Sequence, residues 1–197
     1  MYPFPSPMLM SGGLARYIGQ TDRIGDGALT FPAEAVGGDL ALVIVATDSA
    51  EITGWTKETG GGSIAMIWRR LTSGDVSSPP SISASGGQPV LVLIYRGPLS
   101  ATKRAQQASI TGSTQTISGF VKSAGSKAIV SAYSKAFASS FASGPSGFTL
   151  RRDILSNGTV GIGAADILRP LDYTDNADMV WSLSGSAAGG ALAIELL

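Results

Sequence analysis

The chain has 197 residues, no Cys, no His, and 14 basic residues against 14 acidic ones. The two zeros exclude disulfides, thiolate metal sites, Cys nucleophiles, Ser-His-Asp triads and His-ligated zinc. The even charge balance offers no electrostatic footprint for nucleic acid or anionic lipid, so neither nucleic acid nor membrane is an expected partner. A chain of this length can bury one core without cross-links. With charged residues at only 14%, its surface is left to Ser, Thr, Gly and Ala, which suits packing against other subunits.

Residues 1–13, Met-Tyr-Pro-Phe-Pro-Ser-Pro-Met-Leu-Met-Ser-Gly-Gly, alternate proline with large apolar side chains. Proline removes backbone donors and breaks helices, so the segment reads as an extended arm. It lacks the basic start and continuous apolar centre of a signal peptide. Either the arm frays as many termini do, or Tyr2, Phe4, Met8 and Leu9 dock on a neighbouring subunit or back on their own domain. Short strands are expected at 14–18 and 28–31, split by a polar turn at 21–27.

Gly37-Gly38-Asp39 then launches the apolar run 40–47, rich in β-branched residues and too short for a membrane span, which predicts a strand covered on both faces. Residues 48–62 read as a polar loop ending in glycines. Residues 64–71 form a second strand and 89–95 a third, with Pro89 at the first position, where a missing donor is tolerated. Turns at 74–75 and 77–81 bracket a short strand around Ile82. Residues 100–108, alanine-rich behind a Ser100 cap, fit either a short helix or an irregular loop. An edge strand follows at 110–117, then strands at 127–133, 149–151, 159–165, 177–183 and 190–196. About ten strands at short spacing with almost no helix predict an all-β fold: a single antiparallel β-sandwich of jelly-roll type spanning 14–197, preceded by the arm.

Candidate chemistry is sparse. Asp172, Asp175, Asn176 and Asp178, with Asp166 nearby, carry enough oxygens for calcium, but their spacing departs from the twelve-residue calcium loop and fits a solvated turn better. Glu51 and Glu58 flank Trp55 and are the one carboxylate pair that could cleave a glycoside. Trp55 itself fits either a platform for a glycan or a cap over the sandwich end. Asn157-Gly158-Thr159 matches a glycosylation pattern and is first a hairpin turn. The glycines of 158–163 sit inside a strand pattern and open no helix. No catalytic residue, metal site or cofactor is therefore assigned.

The order of landmarks carries a resemblance. Gly38-Asp39-Leu40 with its strand comes first, then Gly54-Trp55-Thr56, Trp68-Arg69, the run 90–95 closing on Arg96-Gly97, the strand 128–133, Phe148-Thr149, and a Trp181 strand near the C-terminus. This succession resembles the β-sandwich structural proteins of tailed bacteriophages and gene-transfer particles: tail, fibre and head-decoration components. The resemblance covers most of 28–197; Thr53 stands where a proline often precedes Gly-Trp. It implies a non-catalytic virion protein, homo-oligomeric, whose partners are other virion proteins and its own copies. A competing expectation is a carbohydrate-binding module that contacts host surface glycan through Trp55.

Overall fold

The computed structural model describes residues 14–60, 63–84, 87–98, 100–136, 141–156, 160–170 and 173–197. The arm, with Tyr2, Phe4, Met8 and Leu9, lies outside the described residues, as do Asp172 and the Asn157-Gly158-Thr159 turn. The fold is all-β, with antiparallel pairing throughout. Its strands are β1 (Arg16–Ile24), β2 (Gly27–Ala28), β3 (Leu40–Val45), β4 (Thr56–Gly60), β5 (Ile64–Arg70), β6 (Ser81–Ile82), β7 (Pro89–Arg96), β8 (Ala101–Ile117), β9 (Ala128–Ala136), β10 (Phe141–Ser143), β11 (Thr149–Ser156), β12 (Val160–Leu168) and β13 (Met179–Leu196). One short helix, α1 (Ser73–Ser77), follows β5.

The first half of the chain builds a sheet in the order β1-β7-β3-β5-β4. The second half builds another in the order β10-β13-β9-β12-β11, with β8 also paired to β13. The strands at 40–47, 64–71 and 90–95 are interior to the first sheet, and the strand at 127–133 is interior to the second, as their double-sided apolarity requires. A jelly roll passes its chain repeatedly between two sheets. Here the halves of the chain stay in their own sheets, so the jelly-roll part of the expectation does not describe this connectivity.

Strand alternation sorts the apolar side chains into layers. Leu40, Leu42 and Ile44 of β3, with Met66, Leu91 and Leu93, face Val130, Ala132, Ile162, Leu192 and Ile194 of the other sheet and form the central core. The alternate set, Ala41, Val43 and Val45 with Ile67, Val92 and Ile94, lies beneath a cover made by Leu29, Ala35, Ile52, Leu71 and Ile82. The outer face of the second sheet, including Ile129 and Trp181, is covered in the same way by Ile117, Phe120 and Tyr173. Segments that look like polar connections in the sequence therefore act as lids on both outer faces.

Several local readings change. Residues 101–108 are strand, not helix or loop: Ala101, Thr102 and Lys103 pair with Leu196, Glu195 and Ile194, and this pairing overrides a weak alanine propensity. The 21–27 turn moves to its glycines, because β1 continues to Ile24 opposite Pro89. Gly25 and Gly27 take the positive φ angles of 76° and 127° there. The 48–62 loop contains β4, paired to β5 from Thr56 opposite Trp68. The two C-terminal strands are one, β13, whose pairing with β8 shifts register between Ser182 and Ala187. Helix α1 forms at the 74–75 turn because Thr72 and Asp75 make a reciprocal capping box.

One buried polar contact joins the sheets. Tyr95 of β7 donates its hydroxyl to Asp166 Oδ2 of β12 at 2.8 Å, and Arg151 of β11 meets both oxygens of the same carboxylate at 2.8 Å. The Arg151 guanidinium lies 4.1 Å from the centre of the Tyr17 ring, and Tyr17 meets Tyr95 edge-on at 5.8 Å. Burial pushes the Tyr95 hydroxyl well above the usual tyrosine range, and the Asp166 charge adds to the shift. Replacing Asp166 by Ala leaves a mostly buried guanidinium and a buried hydroxyl without their acceptor. Chemical denaturation of Asp166→Ala is expected to show a loss of about 3–5 kcal/mol.

Candidate functional site

The Trp55 loop is built by a tight turn. The Trp55 amide donates to Ile52 O at 3.1 Å, and Gly54 supplies a φ of 77° that a side chain would strain. The loop is tied down by the reciprocal backbone bonds of Glu51 and Ser83, both 3.0 Å. Trp55 is half-buried against the cover of the first sheet and lines a recess of about 340 Å³ with Glu51, Ile52, Thr53, Gly54, Lys57 and Ile67. Its indole N–H is buried without an acceptor. At the rim Lys57 bridges Glu51 at 3.3 Å and donates to Asp48 O at 3.2 Å. The recess thus offers an aromatic edge and an ion pair.

Glu51 and Glu58 do not form a carboxylate pair across this recess. Lys57 stands opposite Ile67, whose side chain is in the outer layer. Glu58 stands opposite Met66, whose side chain is in the central core. Adjacent residues of a strand point to opposite faces, so Glu58 leaves on the side away from Glu51. Trp68 packs against the central core, and Trp181 is fully buried with its indole donating to Ser131 Oγ at 2.9 Å. Trp55, by contrast, borders an open recess.

The acidic turn is occupied by protein. Asp175 accepts from the Lys122 amide at 3.0 Å, Asp178 accepts from Ser118 Oγ at 2.7 Å, and Asn176 takes a φ of 64° in the turn. Asp166, read as its neighbour, is committed to Tyr95 and Arg151. These contacts pin the 117–122 cover to the loop before β13. Among the described residues no group of three or more acidic side chains could hold a metal ion.

Other ionisable side chains are buried, and sequence reading gave none of these a chemical role. Glu195 accepts from the Ser123 amide at 2.6 Å, Ser123 Oγ at 2.9 Å and Arg104 Nε at 2.7 Å. Asp39 accepts from Arg96 at 2.7 and 2.9 Å and from the Val36 amide at 3.0 Å. Lys135 reaches Asp153 at 3.3 Å, its aliphatic chain lying across Gly161, where an added Cβ would come within 2.5 Å of Cε. Burial lowers the Lys135 ammonium below the usual lysine range, with Asp153 opposing that shift. The partners come from distant segments, up to 91 positions apart for Arg104 and Glu195, so no local spacing could reveal them. Comparison with protein-family models, curated proteins and solved structures finds no match for this chain.

Burial alone would raise the Glu195 carboxyl, but the Ser123 and Arg104 hydrogen bonds outweigh it and hold the group below the usual carboxylate range. A carboxylate lowered in the fold contributes stability above its unfolded pKa of about 4.3 and loses it as pH falls through the lower folded value. Denaturation from pH 6 to pH 3 is therefore expected to show stability falling more steeply in the native chain than in Glu195→Gln, the difference opening below about pH 4.3.

Proposed function

We propose that the protein is a non-catalytic structural subunit of a bacteriophage virion, a tail, fibre or capsid-decoration component that acts through contacts with its own copies and other virion proteins. The order of sequence landmarks supports the phage assignment. The observation that carries the subunit-contact reading is the edge where β1 and β11 lie close together, bridged by Arg152 and Asp22 at 3.0 Å. Leu14, Ile24, Leu150 and Leu155, four of the six exposed large apolar side chains in the described residues, lie on or beside these two strands. Both strands end their sheets and leave one backbone edge unpaired among the described residues. An apolar, unpaired edge is the surface that a second β protein completes most readily. The proline-rich arm, with Tyr2, Phe4, Met8 and Leu9, supplies a second contact in this reading.

Light scattering tests it. The full chain is expected to be oligomeric, and removal of residues 1–12 or the pair Leu150→Lys and Leu155→Lys is expected to lower its mass toward that of a monomer. A full chain that stays monomeric at high concentration, or an oligomer indifferent to both changes, overturns the reading.

The Trp55 recess favours a second reading, a carbohydrate-binding module for host surface glycan. An amphipathic ring at an open recess suits sugar stacking. In that case tryptophan fluorescence should respond saturably to a polysaccharide panel, and Trp55→Ala should abolish the response while leaving the fold intact by circular dichroism. No response in the native chain removes this reading.

A further inference from the structure

The 14 basic and 14 acidic side chains balance over the whole chain, and several of the basic ones gather at one end of the sandwich. That end is where β3, β9 and β8 begin and β5, β7, β12 and β13 finish. Arg16 stands opposite Arg96 across the β1–β7 pair, and Leu40, the first residue of β3, stands opposite Arg70. Lys127 donates to Gly97 O at 2.9 Å, and the Arg169 amide donates to Lys127 O at 3.2 Å. These contacts join Arg16, Arg70, Arg96, Lys127 and Arg169 into one basic rim. Asp39 is the one carboxylate found within ion-pair distance of any of the five among the described residues, and it pairs with Arg96 alone.

Within the rim lies an opening of about 410 Å³ between two glycine turns, lined by Val36, Gly37, Gly38 and Asp39 on one side and Arg96, Gly97 and Pro98 on the other, with Arg70 beside them. The turns hold the arginines in place. Arg70 Nε donates to Gly38 O at 3.1 Å, and Arg96 is held by Asp39 and by Glu34 O at 3.1 Å. Those bonds leave both terminal nitrogens of Arg70 and one of Arg96 without a partner among the described residues. The Arg96–Asp39 pair shows that one guanidinium satisfies a planar carboxylate by itself. Two guanidiniums lining one opening suit a group with three or four oxygens.

We propose that this opening is a binding site for a tetrahedral oxyanion, a phosphate or sulfate, held between Arg70 and Arg96, with Arg16, Lys127 and Arg169 raising the local positive potential. The shared chemistry admits a free ion or an ester carried on a larger molecule. The opening shares no lining residue with the Trp55 recess or the β1–β11 edge, so it stands or falls independently of either functional reading.

Calorimetry and amide NMR on the full chain, with inorganic phosphate and sulfate against chloride at constant ionic strength, test the site. Saturable binding is expected, with shifts at the Gly37, Gly38 and Gly97 amides. Arg70→Gln should weaken binding about tenfold or more. Arg152→Gln, a charge removed from the β1–β11 edge, should not change it. Arg16→Gln touches no bonded partner and should weaken binding by a smaller factor, which keeps the test sound if Arg70→Gln unfolds. A sulfated oligosaccharide that binds much more tightly than free sulfate, and loses that affinity with Arg70→Gln, identifies an ester as the ligand. Equal affinity identifies the free ion, and both results support the site. Absence of saturable binding to either ion, or equal loss in Arg70→Gln and Arg152→Gln, overturns it.

Discussion

A strand that buries every side chain must be covered twice, and most of this architecture follows from that. Leu40–Val45 is buried at all six positions, and β7 is buried from Pro89 to Tyr95. One face of each is satisfied by the opposing sheet. The other needs a cover that the sheets cannot supply, because both are already committed to the central core. The 29–35, 50–55 and 71–84 segments take this role over the first sheet, and the 117–123 and 173–179 segments take it over the second. The loops of this protein are consequently part of its core, with Leu29, Ile52 and Leu71 nearly as buried as strand residues.

Loops used as lids must be fastened, and buried charges do much of the fastening. Glu195, near the end of β13, anchors the second sheet's cover through Ser123. Asp39 anchors the turn before β3 through Arg96. Asp166 works differently, since its partners lie on the other sheet and on a neighbouring strand, so it sets how the sheets meet. Such pairs need not add net stability over apolar replacements, but a missing partner is costly, and each pair therefore penalises misplaced segments strongly. The cost of an unpaired charge enforces the arrangement as much as the attraction does.

The same sorting of charges shapes the surface. Asp39, Asp166 and Glu195 are drawn inward as acceptors for backbone amides, hydroxyls and arginines, whereas Arg16, Arg70 and Arg169 stay outside without a carboxylate partner among the described residues. A chain of zero formal net charge thereby presents a locally basic end. The half-buried Trp55 recess occupies another part of the surface, whereas the β1–β11 edge meets the basic end at Arg16, the first residue of β1.

The all-β class, the interior strands at 40–47, 64–71, 90–95 and 127–133, and the lack of Cys and His chemistry were legible in the sequence, because apolar runs and absent residue types are local facts. The strand at 101–108 was not legible. Its alanines favour helix locally, and only pairing with β13 makes it extended. The separation of Glu51 from Glu58 was also hidden, because it depends on where β4 begins and hence on which face each side chain takes. Nor could composition show that Arg16, Arg70 and Arg96 would come to one end of the first sheet, or that Asp166 would meet Tyr95 across 71 positions of sequence. Periodicity reports whether a face is apolar. What covers that face, and which charges meet beneath the cover, is decided by contacts between distant segments, whose free energies exist only once the chain has folded.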